Sequence, residues 1–368
     1  MRAEASGGAP PRILHVVPAS FGSGGVVGGA ERYALELARH MAEVAPTTLV
    51  SFGDEEKRER VGGLDVRVLG APWYVRGQRT NPVSPRLFAE VLRASVVHCH
   101  QQHVLSSSLA AALCRATGRR VFVSDLGGGG WDVSAYVSTD RWYHGHLHIS
   151  EYTRRTAGNE GSGRAHVIMG GVDADKFKPA EEQFEEGERA VLYVGRLLPH
   201  KGVDDLVEAL PGGMRLELLG RAYHKEFIAD LRRLAEGKDV SFRHECDDAE
   251  LVEAYRRALC VVLPSVYRTR YGDETRVPEL LGQTLLEGMA CGIPAVCTDV
   301  ASMPEVVEDG VTGFVVPPND PDALARKLIW LRENPSRRRE MGEAARRRVL
   351  ERFNWPAVVR NCLEIYNS

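Results

Sequence analysis

The sequence predicts an α/β protein with two doubly wound domains, each built on a parallel β-sheet. Short apolar runs, typical of strands buried on both faces, alternate with segments of helical periodicity along most of the chain. A length of 368 residues is enough for two domains that each bury a core. Residues 178–188 (KPAEEQFEEGE) are acidic and polar, and we interpret them as a linker between domains at 1–177 and 178–353.

Composition narrows the class of protein. Apolar residues make up 43% and charged residues 26% of the chain, as in globular proteins. A net charge of −3 does not favour a nucleic-acid partner. The seven cysteines form no CxxC pair and lie mostly in apolar runs, which indicates reduced thiols. With no signal-like or bilayer-length apolar segment visible, we expect a cytoplasmic protein.

The first half opens with a strand at residues 13–17, a glycine-rich loop and a helix at residues 30–42. Glycines at such a position let backbone N–H groups approach a phosphate or sugar, which makes Gly28 and Gly29 candidate donor contacts. A flexible surface loop is the alternative. Further strands are predicted at residues 48–52, 66–69, 96–99 and 120–124, with helices at 85–93 and 105–117.

Polar side chains follow two of these strands, at the edge where open parallel sheets bind ligands. The run HCHQQH places His98, His100 and His103 at one strand end, and Asp125 follows the next strand. The histidine spacing fits no common zinc motif, so we predict no metal and expect His100 or His103 to contact an acceptor or to be structural.

Aromatic residues lie near the predicted loop tips of the first half. They are Trp73, Tyr74, Trp131 and Tyr136, and Trp131 ends the loop LGGGGW. Such rings either stack on a sugar or pack in the core, and Trp131 is our candidate sugar contact.

The second half begins with a strand at residues 191–194 that leads into Gly195 and Arg196, with Lys201 before the next helix. Two cations five residues apart beside a glycine turn can clamp a diphosphate, although a solvated basic pair is the alternative. Strands follow at residues 215–219, 240–242 and 261–263. The loop 264–277, with YRTRYGDETR, either grips a ligand or is a solvated insertion.

The stretch VPELLGQTLLEGMACG places Glu279 and Glu287 eight positions apart, and a helix is predicted from about Gly282. The first turn of a helix has unpaired N–H groups and attracts an anion. A ligand with a central diphosphate and hydroxyl-rich ends, such as a nucleotide sugar, fits this layout. The candidate donor-binding residues here are Gly282, Gln283, Thr284, Leu285 and Glu287. An ordinary amphipathic helix with two solvated glutamates is the alternative.

Three motifs carry a family resemblance. The run from residue 264 to 296, the GGAER at residues 28–32 and the G-R-L-x-x-x-K-G at residues 195–202 resemble family 4 retaining glycosyltransferases of the GT-B fold. The resemblance implies two Rossmann-like domains that face a central cleft, with a final helix at about 354–368 crossing back to the first domain.

The resemblance also implies an activity: transfer of a sugar, with retention, from a UDP- or GDP-type donor to a small molecule, natural product, glycan or lipid. It implies no catalytic metal and no cofactor besides the donor substrate. Membrane association stays open, and we expect a monomer or homodimer. A sugar-nucleotide epimerase of the same fold, or an inactive nucleotide-sugar-binding protein, is the alternative.

Residue roles follow from the same resemblance. Glu279 is expected to hold the transferred sugar's hydroxyls and Glu287 the ribose, while Arg196 and Lys201 meet the leaving diphosphate. Arg196, Lys201 and Glu279 are therefore the candidate catalytic residues.

One position departs from the family. Many members carry a histidine just after the strand at residues 120–124, where this chain has Leu126. Asp125 or a histidine of HCHQQH could substitute, the donor could lack the hydroxyl that this histidine meets, or the register could be shifted. From the sequence we favour a changed donor, such as a deoxy sugar.

Overall fold

A computed structural model of the chain describes residues 10–18, 29–127, 130–181, 184–185, 187 and 189–368. The chain divides into two compact units. Unit 1 comprises Met1–Ile149, Arg154–Ile168 and Trp355–Ser368, and unit 2 comprises Ser150–Thr153 and Met169–Asn354.

The boundary between the units differs from the predicted one. The main segment of unit 2 begins at Met169 and not at residue 178. Residues after 168 belong to unit 2 because Val172 bridges to Asn354 and the ring of Phe177 packs edge-on against Tyr255.

Unit 1 contains ten described strands. They are β1 (Ile13–Val16), β2 (Thr47–Gly53), β3 (Lys57–Val61), β4 (Leu64–Gly70), β5 (Trp73–Tyr74), β6 (Pro82–Val83), β7 (Val96–Cys99), β8 (Arg120–Val123), β9 (Gly145–His148) and β10 (Ala165–Val167). Eight form a sheet in the order β10-β9-β8-β7-β1-β2-β4-β3, and β5 pairs with β6 separately. Within the large sheet only β3 with β4 is antiparallel. The strand order reverses between β1 and β7.

Unit 2 contains a six-stranded parallel sheet. Its strands are β11 (Ala190–Val194), β12 (Arg215–Leu219), β13 (Asp239–Arg243), β14 (Ala258–Leu263), β15 (Ala295–Thr298) and β16 (Gly313–Val316). Their order, β13-β12-β11-β14-β15-β16, is that of a Rossmann fold. The order reverses between β11 and β14, so the carboxyl ends of these two strands are where such a sheet binds ligands.

Twelve helices are described along the chain. They are α1 (Gly29–Met41), α2 (Arg86–Arg93), α3 (Leu105–Ala116), α4 (Glu151–Thr156), α5 (Val203–Ala209), α6 (Lys225–Leu234), α7 (Asp248–Arg257), α8 (Gln283–Ala290), α9 (Met303–Val306), α10 (Pro321–Glu333), α11 (Pro335–Arg352) and α12 (Trp355–Asn367). None of the helices that the structure describes is both long and apolar enough to span a bilayer.

The final helix α12 packs within unit 1. Its Trp355 ring lies 5.6 Å from that of Tyr33 on α1, and both residues are buried. The apolar side of α1 also buries Leu37 and Met41, and each fully buried side chain of this size stabilises the fold by about 1.5–3 kcal/mol.

Candidate functional site

The loop after β11 lies at the reversal point of the unit 2 sheet. Tyr193, fully buried, donates a hydrogen bond from its hydroxyl to the carbonyl of Arg196 at 2.8 Å. This bond holds the loop backbone and leaves the Arg196 side chain exposed. A guanidinium held at the carboxyl end of β11 is placed to meet an anion.

Lys201 and Glu279 form an ion pair. The Lys201 ammonium lies 2.7 Å from a Glu279 carboxylate oxygen and donates to the carbonyl of Pro278 at 2.8 Å. Lys201 is only 9% exposed, so water screens the pair weakly. The sequence predicted a catalytic role for both residues but not their contact.

Gly202 brings the loop after β11 against the end of β14. Its φ is +64°, and a Cβ there would lie 1.9 Å from the carbonyl oxygen of Pro264. Only glycine fits, because a side chain would strike backbone and strain the left-handed conformation. The residue thereby fixes Lys201 beside the reversal point.

Helix α8 begins next to Glu279, with Gly282 as its N-cap residue in the left-handed region. The amide of Leu285 already bonds to the Gly282 carbonyl, and the Leu285 side chain is fully buried. Leu285 is therefore a core residue, and its predicted place among the donor-binding residues stays a prediction. The half-buried Gln283 and Thr284 remain at the first turn, and Gln283 donates to the carbonyl of Gly171 at 3.0 Å.

Glu287 is almost fully buried, with 2% exposure, and its carboxylate accepts a hydrogen bond from the Tyr255 hydroxyl at 2.9 Å. Sequence reasoning did not identify Tyr255, since it lies on α7 and no local spacing links the two residues. The carboxylate is thus oriented from inside the protein, and its predicted ribose contact stays a prediction.

His200 is a site residue that sequence reasoning missed, although it directly precedes Lys201. Its imidazole is half-buried, and burial, together with the charges of Lys201 and Arg196, lowers its pKa to about 4. It is neutral at pH 7 and offers a hydrogen bond without adding charge to the cationic loop.

The loop 264–277 is folded against two helices. The Arg270 guanidinium lies within 2.9 Å of carboxylate oxygens of Asp204, Asp205 and Glu208 on α5. The Tyr271 hydroxyl donates to Asp230 on α6 at 3.0 Å. The loop tip is therefore anchored, not a free insertion, and its Arg270 and Tyr271 are already engaged within the protein.

Replacing Arg270 with alanine should lower the free energy of unfolding by about 1–3 kcal/mol, because it leaves the buried Asp204 and the mostly buried Asp205 side by side without their cation. Burial, then Asp205, already raises the pKa of Asp204 to about 6. The control is Arg268→Ala, which removes an exposed pair with Glu274 and should cost about 0.5 kcal/mol or less. Equal urea midpoints for the two variants would contradict the anchoring role.

The histidine cluster in unit 1 differs from the predicted one. His15 lies beside His98 in the β1–β7 register, and its Nδ1 is 2.8 Å from Nε2 of His100. His100 is 3% exposed, which favours the structural alternative for this residue, and its contact with an acceptor stays a prediction. His15 replaces His103 in the cluster because β1 and β7 are neighbours in space but far apart in the chain.

Ring nitrogens of His15, His98 and His100 lie within 4.8 Å of one another, which is a possible arrangement for a metal. However, both ring nitrogens of His98 already make hydrogen bonds. Nε2 lies 2.9 Å from the Ser124 hydroxyl, and Nδ1 lies 2.6 Å from the Tyr366 hydroxyl. Burial lowers the pKa of each imidazole, so the cluster is neutral. We interpret it as a polar network that ties α12 to the sheet.

The remaining unit 1 candidates have different surroundings. His103 is exposed, with Nδ1 3.1 Å from the Ser134 hydroxyl, and Asp125 is exposed directly after β8. Leu126 is 5% exposed and packs in the core. A buried leucine adds no support to the changed-donor hypothesis, which stays a prediction, as does the substitution of Asp125 for the family histidine.

The glycine-rich loop is only partly described. Gly28 lies outside the described residues. Gly29 is exposed at the start of α1, and no described atom would lie within 4 Å of a Cβ added there. Its predicted approach to a ligand stays a prediction.

A cavity of about 930 Å³ lies at the amino edge of the unit 1 sheet, opposite the carboxyl edge. Residues at the starts of β1 and β2 line it, and its Arg58 and Arg67 both pair with Asp65. Open parallel sheets bind ligands at the carboxyl edge, so this cavity is not the candidate active site.

Comparison with known proteins identifies the family. Residues 27–176 match the profile of "Glycosyltransferase Family 4", and residues 174–348 match "Glycosyl transferases group 1". A GDP-mannose-dependent alpha-(1-6)-phosphatidylinositol monomannoside mannosyltransferase of Mycolicibacterium smegmatis is 32% identical over 275 residues, 67% of this chain and 70% of the relative. The chain belongs to glycosyltransferase family 4.

Other comparisons agree with this family 4 assignment. An alpha-maltose-1-phosphate synthase of Mycolicibacterium smegmatis is 33% identical over 231 residues, 56% of this chain and 57% of the relative. The chain thus spans little more than half the length of several curated relatives that it matches, and under half of glycogen synthase of Mycobacterium tuberculosis, at 47%.

Solved structures confirm the predicted GT-B fold. A glycosyltransferase from Rickettsia africae superposes with a TM-score of 0.74 at 20% identity, covering 97% of this chain and 98% of that chain. Anabaena Alr3699/HepE in complex with UDP and glucose gives 0.72 at 18% identity, covering 96% and 98%.

Proposed function

We propose that this family 4 member transfers a sugar from a nucleoside-diphosphate sugar to an acceptor, with retention at the anomeric carbon. The observation that carries the proposal is the Lys201–Glu279 pair, held at the reversal point of the unit 2 sheet beside the first turn of α8. It combines a cation for a leaving diphosphate with a carboxylate for sugar hydroxyls.

The chemistry follows from charge and position. As the bond from the anomeric carbon to the diphosphate breaks, the diphosphate takes the electron pair, and the acceptor oxygen forms the new bond to the anomeric carbon. The proton of the acceptor hydroxyl passes to the released diphosphate, and Arg196 with Lys201 stabilises the growing negative charge. Lys201 then shares its ammonium between Glu279 and the phosphate, while the carboxylate accepts hydrogen bonds from the sugar. The N–H groups at the start of α8 add partial positive charge. Catalysis is mainly positioning and charge stabilisation.

The donor is proposed to be of the UDP or GDP type. One relative is named as GDP-mannose-dependent, and one structure of the same fold contains UDP and glucose. The acceptor class extends from small molecules to glycans and lipids. We also propose a cytoplasmic location, in keeping with seven free cysteines, of which six are buried.

A thermal-shift screen of nucleotide sugars, followed by an assay of diphosphate release, tests the proposal. A donor present at 100 times its dissociation constant should add about 2.7 kcal/mol to the stability. We expect one class of nucleotide sugar to raise the melting temperature and to be consumed. If a donor binds but is not consumed with any of the acceptors tried, the protein is an inactive nucleotide-sugar-binding protein. If the donor is converted to its epimer, the protein is an epimerase.

The two glutamates should differ in their kinetic effects. Glu287→Gln should mainly raise the donor KM, because ribose contacts are shared by ground and transition states. It also alters the acceptor of the Tyr255 hydrogen bond. Glu279→Gln should mainly lower kcat, because it removes the charge that pairs with Lys201. Steady-state kinetics with varied donor separates the effects, and the reverse pattern would exchange the two roles.

Activity should survive removal of divalent ions. Arg196, Lys201 and the start of α8 supply the positive charge that a metal ion supplies in other transferases. Turnover measured after dialysis against excess EDTA should match that of untreated enzyme. Loss of activity with recovery on adding Mn²⁺ or Mg²⁺ would instead direct attention to the buried histidine cluster.

A further inference from the structure

Unit 1 presents a cluster of aromatic and arginine side chains at the carboxyl edge of its sheet. We name it the aromatic platform. It consists of two contacting groups and one neighbour in sequence: Arg76, Trp131 and Tyr136 form one group, Arg79 and Tyr74 form the other, and Trp73 precedes Tyr74 in β5. Its segments follow β4 and β8, which run parallel in the same sheet, and the exposed fractions of Trp73 and Tyr136 are 62% and 74%. The carboxyl edge is the ligand-binding edge of such a sheet.

A buried asparagine joins the two segments. Asn81 is fully buried, and its amide donates to the carbonyl of Trp131 at 2.7 Å and accepts from the amide of Leu105 at 2.9 Å. The amide of Gly130 also bonds to the carbonyl of His103 at 2.9 Å. These hydrogen bonds fix the backbone of the segments that carry the aromatic rings. Because less conformational freedom is then lost when a ligand binds, the entropy cost of binding is lower.

Guanidinium groups stack on the rings. The Arg76 guanidinium carbon lies 4.7 Å from the centre of the Trp131 ring, and that of Arg79 lies 6.0 Å from the Tyr74 ring. Arg76 has a φ of +51°, in the left-handed region that costs a non-glycine residue about 1–2 kcal/mol. The fold thus keeps Arg76 over Trp131 at a cost in stability, which is frequent at binding sites.

The charge of the platform is uncompensated. Residues 73–83 contain two arginines and no acid. The two carboxylates within residues 130–140 are engaged elsewhere: Asp132 accepts from Ser108 and Ser134, and Asp140 accepts from Gln102 and Ser138. No ion pair is described for Arg76 or Arg79 in the part of the chain that the structure covers. An anion is the ligand that complements them.

We propose that the aromatic platform is an acceptor subsite for a saccharide with an anionic group. The apolar face of a sugar ring lies on the exposed aromatic rings, while its carboxylate or phosphate pairs with Arg76 and Arg79. The proposal rests on the glycosyltransferase function and specifies the acceptor class. A membrane surface is not the proposed occupant, and binding to vesicles is an outcome of the test.

The test measures saccharide binding without any donor, by ligand-detected NMR. The probes are methyl glucuronide, glucose 6-phosphate and the neutral methyl glucoside. At least one anionic probe should bind about tenfold or more tightly than methyl glucoside, and the comparison between the two shows whether carboxylate or phosphate is preferred. Arg76→Gln should abolish that preference, whereas Tyr136→Ala should weaken all binding. Arg339→Gln, which changes an exposed arginine on α11 of unit 2, is the matched control.

Two results would overturn the proposal. One is failure of both anionic probes to bind more tightly than methyl glucoside. The other is binding to vesicles of phosphatidylglycerol and phosphatidylcholine that requires Trp73 and Tyr136, without saccharide binding. Nucleotide-sugar thermal shifts are measured on the same variants and should stay unchanged in Arg76→Gln. The thermal shifts test donor binding, and the saccharide titrations test the aromatic platform. The two proposals can therefore fail independently of each other.

Discussion

Replacing Lys201 with alanine should lower kcat about 10²–10³-fold, which is the usual cost of losing one preorganised group that stabilises transition-state charge. The change removes the cation proposed for the leaving diphosphate and leaves the mostly buried Glu279 carboxylate without its partner. Arg196→Ala should lower kcat by a similar factor, since Arg196 carries the second charge of the same loop.

The control for Lys201 is Lys225→Ala, which removes an exposed ammonium at the start of α6 and should leave kcat unchanged. A double variant, Lys201→Ala with Glu279→Gln, should lose less than the product of the two single effects, because the residues act as a contacting pair. If folded Lys201→Ala retains near wild-type turnover, the proposed clamp is wrong.

Gly202→Ala should lower the free energy of unfolding by about 3–5 kcal/mol. The new Cβ would lie 1.9 Å from the Pro264 carbonyl oxygen, and the backbone φ of +64° would strain alanine further. Backbone of the loop after β11 or of the β14 end must shift, so Lys201 would be displaced as well and activity should fall with stability.

Gly213→Ala provides a matched control. Gly213 has a φ of +73°, but no atom of the described residues lies within 4 Å of the added Cβ. Only the conformational cost remains, about 1 kcal/mol, so the difference between the variants isolates the clash. Equal urea midpoints would show that the approach of Gly202 to Pro264 is not close in solution.

Local patterns in the sequence predict most strands and helices. Apolar runs such as residues 96–99 and 215–219 coincide with β7 and β12. The strand β3 (Lys57–Val61) escaped prediction because its sequence KRERV has no apolar alternation; it is the antiparallel edge strand, paired with β4 alone. Pairing with a neighbour, and not burial, makes this segment a strand. The local signal for that pairing is the two-residue turn Gly62-Gly63 between β3 and β4, and not the pattern of the strand itself.

At the candidate site, too, local sequence patterns predict the residues, while contacts between distant parts of the chain remain hidden in the sequence. Glycine turns, cations and carboxylates were identified from spacing within short motifs, and the matched profiles place these motifs in family 4. By contrast, the partner of each charged group comes from elsewhere in the chain. Tyr255 reaches Glu287 from α7, and Arg270 reaches Asp204 from a loop that sequence reasoning left unassigned.

The sequence by itself determined the α/β class and the two-domain organisation, because these depend on local periodicity. Short motifs that resemble family 4 indicated the family and led to Arg196, Lys201 and Glu279 as predicted site residues. Only the tertiary structure decided that Lys201 pairs with Glu279, that His100 and Leu126 are buried, and that Asn81 supports the aromatic platform. These facts depend on which strands are neighbours and which side chains the packing removes from water. Both are set by contacts between residues far apart in the chain.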